Sequence, residues 1–180
     1  DPNLKSERGL KWVNSMLFKN EHIALTTDLY AQYIQNYIYA TPNPDSVRQT
    51  IRGTFPVFNY RQHDAFFYGV DVQLDWNIVP RFTYALKGSL VRARDLDNNT
   101  YFPFIPADRL QHSIKWQYGE PTENYIRLAH TFVDRQRRFD PATDYTNPPS
   151  SYQLFHLYGS AQLPIKNNRI QCNLGVENIF

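Results

Sequence analysis

Few side chains in this 180-residue chain have chemistry to offer, and their spacing is the first constraint. The five histidines, His22, His63, His112, His130 and His156, fall at no interval that one helical turn or tight hairpin would gather around a metal. His112 and His156 fall on different strand-like segments, beside apolar residues, and read as packing residues. Asp95-x-Asp97-x-Asn99 opens like a calcium loop. Thr100 stands where the sharp turn needs glycine, however, and Pro106 where a bidentate glutamate would close the shell, so a polar turn is expected, with incidental calcium binding by an extracellular loop as the lesser alternative. Arg92, Arg94, Arg135, Arg137 and Arg138 suit phosphate or an anionic chelate through bidentate hydrogen bonding, with Asp95, Asp97 and Asp134 as ordinary partners. Tyr101, Phe102 and Phe104, with Tyr145 further on, are candidate contacts for an aromatic ligand. Asp71 and Asp75 fall on one polar face and need do no more than hydrate it. No Ser/His/Asp order, glycine-rich phosphate loop or zinc signature occurs, so no catalytic residue, metal ligand or cofactor is assigned.

Composition narrows the class. Apolar residues make up 42% and charged residues 20%, which argues against disorder. A mean hydropathy of −0.58 and the lack of a long apolar run exclude a membrane-spanning helix. The net charge of +2 implies no nucleic-acid partner. One cysteine, Cys172, excludes an internal disulfide. The opening Asp1-Pro2-Asn3-Leu4-Lys5 carries no apolar leader core, which fits a cytosolic chain, a mature chain or an internal piece of a longer one. Aromatic residues reach 16%, mixed with Asn, Gln and Thr, and favour β structure.

The elements that must position these residues follow from a period of two. Tyr68, Val70, Val72, Leu74 and Trp76 alternate with Gly69, Asp71, Gln73 and Asp75. The same split recurs in Ile23–Tyr33, Phe82–Leu90, Leu110–Tyr118 and Ile170–Val176. Eight strands are expected, at 9–18, 22–39, 59–76, 82–94, 108–118, 123–135, 151–163 and 168–178. Several reach the 9–11 or so residues a membrane strand needs. Short turns at 19–21, 78–81, 119–122 and 164–167 alternate with long polar loops at 40–58, 95–107 and 136–150. That alternation suits an up-and-down antiparallel meander whose two ends face different surroundings, as in outer-membrane barrels. Trp76, Phe82, Trp116, Tyr118 and Tyr125 lie beside the short turns and are expected to form a membrane-boundary girdle. With short turns on the periplasmic side, both ends of the chain would lie outside. The chain is therefore expected to be an internal slice, residues 1–180 being part of a larger transmembrane barrel.

The motifs then point to a family. Pro2-Asn3-Leu4-Lys5-Ser6-Glu7, Tyr60-Arg61-Gln62-His63-Asp64-Ala65 leading to Tyr68-Gly69-Val70-Asp71, Phe104-Ile105-Pro106-Ala107-Asp108-Arg109-Leu110, and Gly175-Val176-Glu177-Asn178-Ile179-Phe180 occur in order. Together they resemble the C-terminal part of the barrel of a TonB-dependent outer-membrane receptor. The resemblance implies a barrel of about 22 strands with a plugged lumen. It also implies energised uptake of a scarce solute such as a ferric siderophore, and a TonB-type partner acting through a plug region that this slice lacks. Outer-membrane lipid and lipopolysaccharide would surround the wall. The competing expectation is a soluble eight-stranded barrel that turns its apolar face inward around an apolar ligand.

Overall fold

The computed structural model describes residues 4–119, 124–141, 146–166 and 168–179. Its strands are β1 (Arg8–Lys19), β2 (Ile23–Thr50), β3 (Gly53–Val79), β4 (Phe82–Asp95), β5 (Thr100–Tyr101), β6 (Arg109–Gln117), β7 (Tyr125–Val133), β8 (Tyr152–Ile165) and β9 (Asn168–Val176). All lie in one sheet ordered β1-β2-β3-β4-β6-β7-β8-β9, with β5 paired only to the end of β4. Each main strand is antiparallel to the next in sequence, so the expected meander is present. The two-residue β5 was not foreseen.

Directly opposed residues point to the same side of a sheet, so the register sorts the alternation into two faces. One row across seven strands reads Ile23, Trp76, Tyr84, Ile114, Leu128, Leu157 and Val176. A row on the other face reads Asp28, Asp71, Ser89, Arg109, Val133 and Tyr152. At the long-loop end and along β6–β8, burial runs opposite to what water demands. Ala65, Ala93, Ala129, Thr131 and Ser160, all on the polar face, are buried, while Ile114, Leu128, Leu157 and Leu174 on the apolar face are exposed. A sheet that packs in water buries its apolar side. Over β6–β8 the polar side is the sheltered, inner one, while on β3 and β4 its Asp71, Gln73, Lys87 and Ser89 stay open.

The expected long loop at 40–58 is instead a tall hairpin. β2 and β3 stay paired up to Thr50 and Gly53, with register shifts between Ile34 and Tyr37 and between Asn43 and Val47. Those bulges break the period-two pattern, which is why the sequence reads there as a loop. Prolines survive because each strand has lost its second neighbour: β1 pairs β2 only as far as Gln35, and β4 pairs β3 only from Ala65 down. Pro42 and Pro56 therefore interrupt no second ladder. At the opposite end the connections are tight. In the first, the Asn20 side-chain oxygen accepts the backbone N–H groups of His22 and Ile23 at 2.9 and 2.7 Å.

Candidate functional site

The long-loop end is organised around Phe102, which follows β5 and is only 2% exposed. Its ring meets Tyr37 and Tyr39 edge-on at centroid distances of 5.0 and 4.9 Å and stacks on Phe67 at 5.9 Å. Ala65 and Ala93 complete the cluster. The bulge at Asn36, with φ 56°, re-aims Tyr37 and Tyr39 to the inner face above Ile34. Phe102, expected as a ligand contact, thus holds the loop down from within. Phe104, two residues on, is exposed, in a left-handed conformation with φ 61°. Tyr101 packs under the Arg94 guanidinium, 5.1 Å from the ring centroid. Tyr145 lies outside the described residues.

Beside this cluster the loop following β5 and the segment after β7 enclose a cleft of about 520 Å3, lined among others by Phe104, Ile105, Gln136, Arg138, Phe139 and Tyr152. Gln136 ties the two sides together, its side-chain amide donating to the carbonyls of Ile105 and Pro106 at 2.9 and 3.1 Å. Below it Asp108 accepts a forked pair of bonds from Arg92 at 2.5 and 2.8 Å, with Arg138 at 3.9 Å. The hydrogen bonds from Arg92 hold the Asp108 carboxyl below the usual carboxylate range, against burial. Arg92 and Arg94 pair with Tyr68 and Phe66 and so rise on the apolar face rather than toward the interior. Arg137 is 72% exposed with Asp134 at 3.4 Å, and Arg135 is exposed as well.

A second polar group lies on the inner face at the foot of the tall hairpin. His63 Nδ1 is 2.6 Å from Asp95 Oδ2 and 2.7 Å from the Tyr39 hydroxyl. Asn98 Nδ2 is 3.0 Å from each of His63 Nδ1 and Asp95 Oδ2. Asp97 approaches from the β4–β5 turn and accepts the Asp64 backbone N–H at 3.0 Å. Burial pushes the Tyr39 phenol up to about 12, helped by the charge of Asp95. Burial would raise Asp95 as well, but bonds from the Asn98 backbone and from His63 outweigh it and hold the carboxylate ionised. The sequence pointed to Asp95 and Asp97 but not to His63 or Tyr39. Those two come from other strands, 32 and 56 residues upstream of Asp95, and no local spacing announces them.

At the short-turn end Trp76, Phe82, Trp116 and Tyr118 share the apolar face; Phe82 and Trp116 stack at 6.1 Å and Trp116 meets Tyr118 at 5.7 Å. Tyr125 departs from the expected girdle. It pairs with Gln117 and Ser160 on the inner face, with Lys115 Nζ 6.0 Å from its ring centroid. Between the two ends, the inner wall forms a polar furrow lined by Asp28, Asp71, Lys87, Arg109 and Gln111. His112 and His130 face outward instead, joined at 2.8 Å among apolar neighbours.

A curled antiparallel meander with an apolar exterior and a polar interior is a segment of transmembrane β-barrel wall. The chain belongs to the family described as TonB dependent receptor-like, beta-barrel, which matches residues 1–179; its members are β-barrel proteins of the bacterial outer membrane, receptors rather than enzymes. No curated protein matches the sequence. Among solved structures, the copper transporter OprC superposes with a TM-score of 0.82 at 13% identity, covering 98% of this chain and 26% of that one. The FrpB iron transporter of Neisseria meningitidis, in its apoprotein form, gives 0.67 at 13% identity, covering 99% and 27%. The chain therefore spans about a quarter of each of these proteins. The fold does not close on an apolar core, and the soluble-barrel alternative is set aside.

Proposed function

We propose that this chain is the wall and outer rim of an active importer, one that draws a scarce, metal-bearing solute across the outer membrane with energy from a TonB-type partner. The observation that carries the reading is the inverted sheet. Its apolar belt on β3 runs from Tyr68 to Trp76, nine residues, the depth a tilted membrane strand requires. The inner wall behind that belt is polar, with Asp71, Gln73, Lys87 and Ser89 open to the furrow, as a wet or plugged lumen needs. Coupling to TonB would run through a plug region, for which the wall supplies only the socket.

For the solute, a ferric chelate remains the proposal. Support comes from the cleft beside Phe104 and Arg138, which pairs an aromatic surface with a cation, the combination an anionic aromatic chelate would use. Both structural neighbours are named as metal transporters, one of copper and one of iron, which keeps the solute class metal-bearing without choosing the metal. Arg94 and Arg137 stand at the outer rim, where lipopolysaccharide phosphates would meet them.

Uptake of a radiolabelled ferric chelate tests this in cells with and without the intact receptor. Uptake should fall on deletion, return on complementation and collapse with an uncoupler. Uptake indifferent to the receptor overturns the solute assignment, and uptake indifferent to the uncoupler overturns energised transport. Recovery of the intact receptor as a soluble monomer without detergent overturns the membrane-wall reading itself.

A further inference from the structure

We propose that His63, Asp95 and Asp97 form a binding site for a divalent transition ion of the zinc or copper type, with the Tyr39 hydroxyl and the Asn98 amide completing its shell. One ligand atom from each of the three residues lies within 4.8 Å of the others. They come from β3, from the end of β4 and from the turn between β4 and β5, so an ion there would pin that turn to the foot of the tall hairpin.

Three arguments favour a cation over a self-contained hydrogen-bonded knot. The first is valence. An imidazole Nδ1 offers one proton or one lone pair, yet Tyr39, Asp95 and Asn98 all crowd it at 2.6–3.0 Å. One such bond can be good at a time, whereas a metal at the centre would use the histidine nitrogen, the carboxylate and the phenol oxygen together. Rotating the Asn98 amide by half a turn presents its oxygen in place of its nitrogen.

The second argument is spacing. Metal–ligand bonds of about 2.0–2.2 Å separate neighbouring ligand atoms by roughly 2.8–3.6 Å. The separations of 2.6 Å for His63 to Asp95 and 3.5 Å for Tyr39 to Asp95 lie within a few tenths of an ångström of that range, and the Asp97 carboxylate, within 4.8 Å of the other two, closes the rest by turning its side chain. Assembly thus needs no movement of the strands, only of side chains. Asp97, the exposed member, leaves a way in.

The third argument is ligand type. Calcium and magnesium take oxygen shells; an imidazole beside two carboxylates selects zinc or copper instead. Two carboxylates with a neutral imidazole balance a doubly charged ion. Arg61, on the same face and electrostatically felt by Tyr39, moderates the negative charge when no ion is bound.

The test is equilibrium binding on the complete, detergent-solubilised receptor. It needs no transport, so its failure is distinct from a failure of the importer reading. After chelator treatment the protein is titrated with zinc chloride against a chromophoric competitor, and separately with copper chloride followed by electron paramagnetic resonance. His63→Gln and Asp97→Asn should each remove one zinc equivalent or weaken it at least tenfold. The copper spectrum should lose a component coupled to a single nitrogen in His63→Gln. Unchanged stoichiometry and affinity in both variants, with the folded barrel retained, overturn the site. Should His63→Gln fail to fold, Asp97→Asn decides alone, because its side chain is exposed and outside the packed cluster.

Discussion

Gly69 lies on the inner face of β3, between Tyr30 on β2 and Val91 on β4. The Tyr30 ring lies across it, and a Cβ added at Gly69 would fall well inside 3.0 Å of both the Tyr30 hydroxyl and the Leu90 carbonyl oxygen. A tyrosine hydroxyl can swing away, but a carbonyl within a strand ladder moves only with its strand. Gly69→Ala is therefore expected to cost about 1–3 kcal/mol, the range for forced overpacking. Two other glycines calibrate the argument. At Gly175 the new Cβ would meet the Tyr158 ring at 3.0 and 3.3 Å, a contact that a small ring tilt relieves. At Gly88 it would meet only a Leu110 methyl at 3.6 Å, which is ordinary contact. Gly88→Ala should thus be neutral, or gain up to about 1 kcal/mol from the stiffened unfolded chain. Heat-modifiable gel mobility of the complete receptor gives the midpoints for all three. The expected order of stability is Gly88→Ala, then Gly175→Ala, then Gly69→Ala. Adding Tyr30→Ala to Gly69→Ala should rescue only part of the loss, because the Leu90 carbonyl remains. If Gly69→Ala is as stable as Gly88→Ala, the close approach of β4 to this glycine is refuted.

Three further outcomes are expected. Val72 sits at the middle of the apolar belt and Gln73 beside it on the inner face; Val72→Arg should cost about 2–4 kcal/mol in a bilayer and Gln73→Arg little, measured by unfolding in phospholipid vesicles, and equal costs would contradict the face assignment. Phe102→Ala should cost about 3–5 kcal/mol of local packing and release the loop after β5, seen as faster amide exchange over residues 100–106 with β6 and β7 unaffected. Asp108 has a folded pKa below its ordinary value, so the stability it contributes is present above the unfolded carboxylate range near about 4 and is lost as pH falls through the lower, folded value. The cleft should loosen in that acid window, monitored by exchange at residues 102–107, and Asp108→Asn should abolish the acid step and cost about 1 kcal/mol at neutral pH.

What could be seen in the sequence was whatever obeys a strict period of two. Tyr68–Trp76 and Leu110–Trp116 alternate without interruption, so their strands, their order and their apolar face were legible, whereas alternation alone left open which face turns outward. Legibility stops at the first bulge. Past Asn36 the parity changes, prolines appear, and 28 residues of β2 look like strand followed by loop. Tyr125 failed by the same parity: one residue of register separates the outer girdle from the inner wall. Phe102 failed for another reason, since an aromatic in a polar loop can point out to a ligand or in to a core, and only the three rings from β2 and β3 decide. His63 joins Asp95 and Asp97 through strand pairing alone, a relation that spacing along the chain does not encode.

The tall hairpin has a consequence for how such a protein can change over generations. Its tip stands about 33 Å beyond the bulge at Asn36, the ten residues of β3 from Gly53 to His63 at about 3.3 Å each. Up there the strands answer to each other and to no membrane. Insertions that add one residue to each strand lengthen the hairpin and keep every side chain on its side, while a single added residue turns the segment above it inside out. The bulges absorb such a slip before it reaches the belt. The hairpin can therefore drift in length and lettering while the wall beneath it stays under strict constraint, which makes it the stretch where related receptors are free to look most unlike one another.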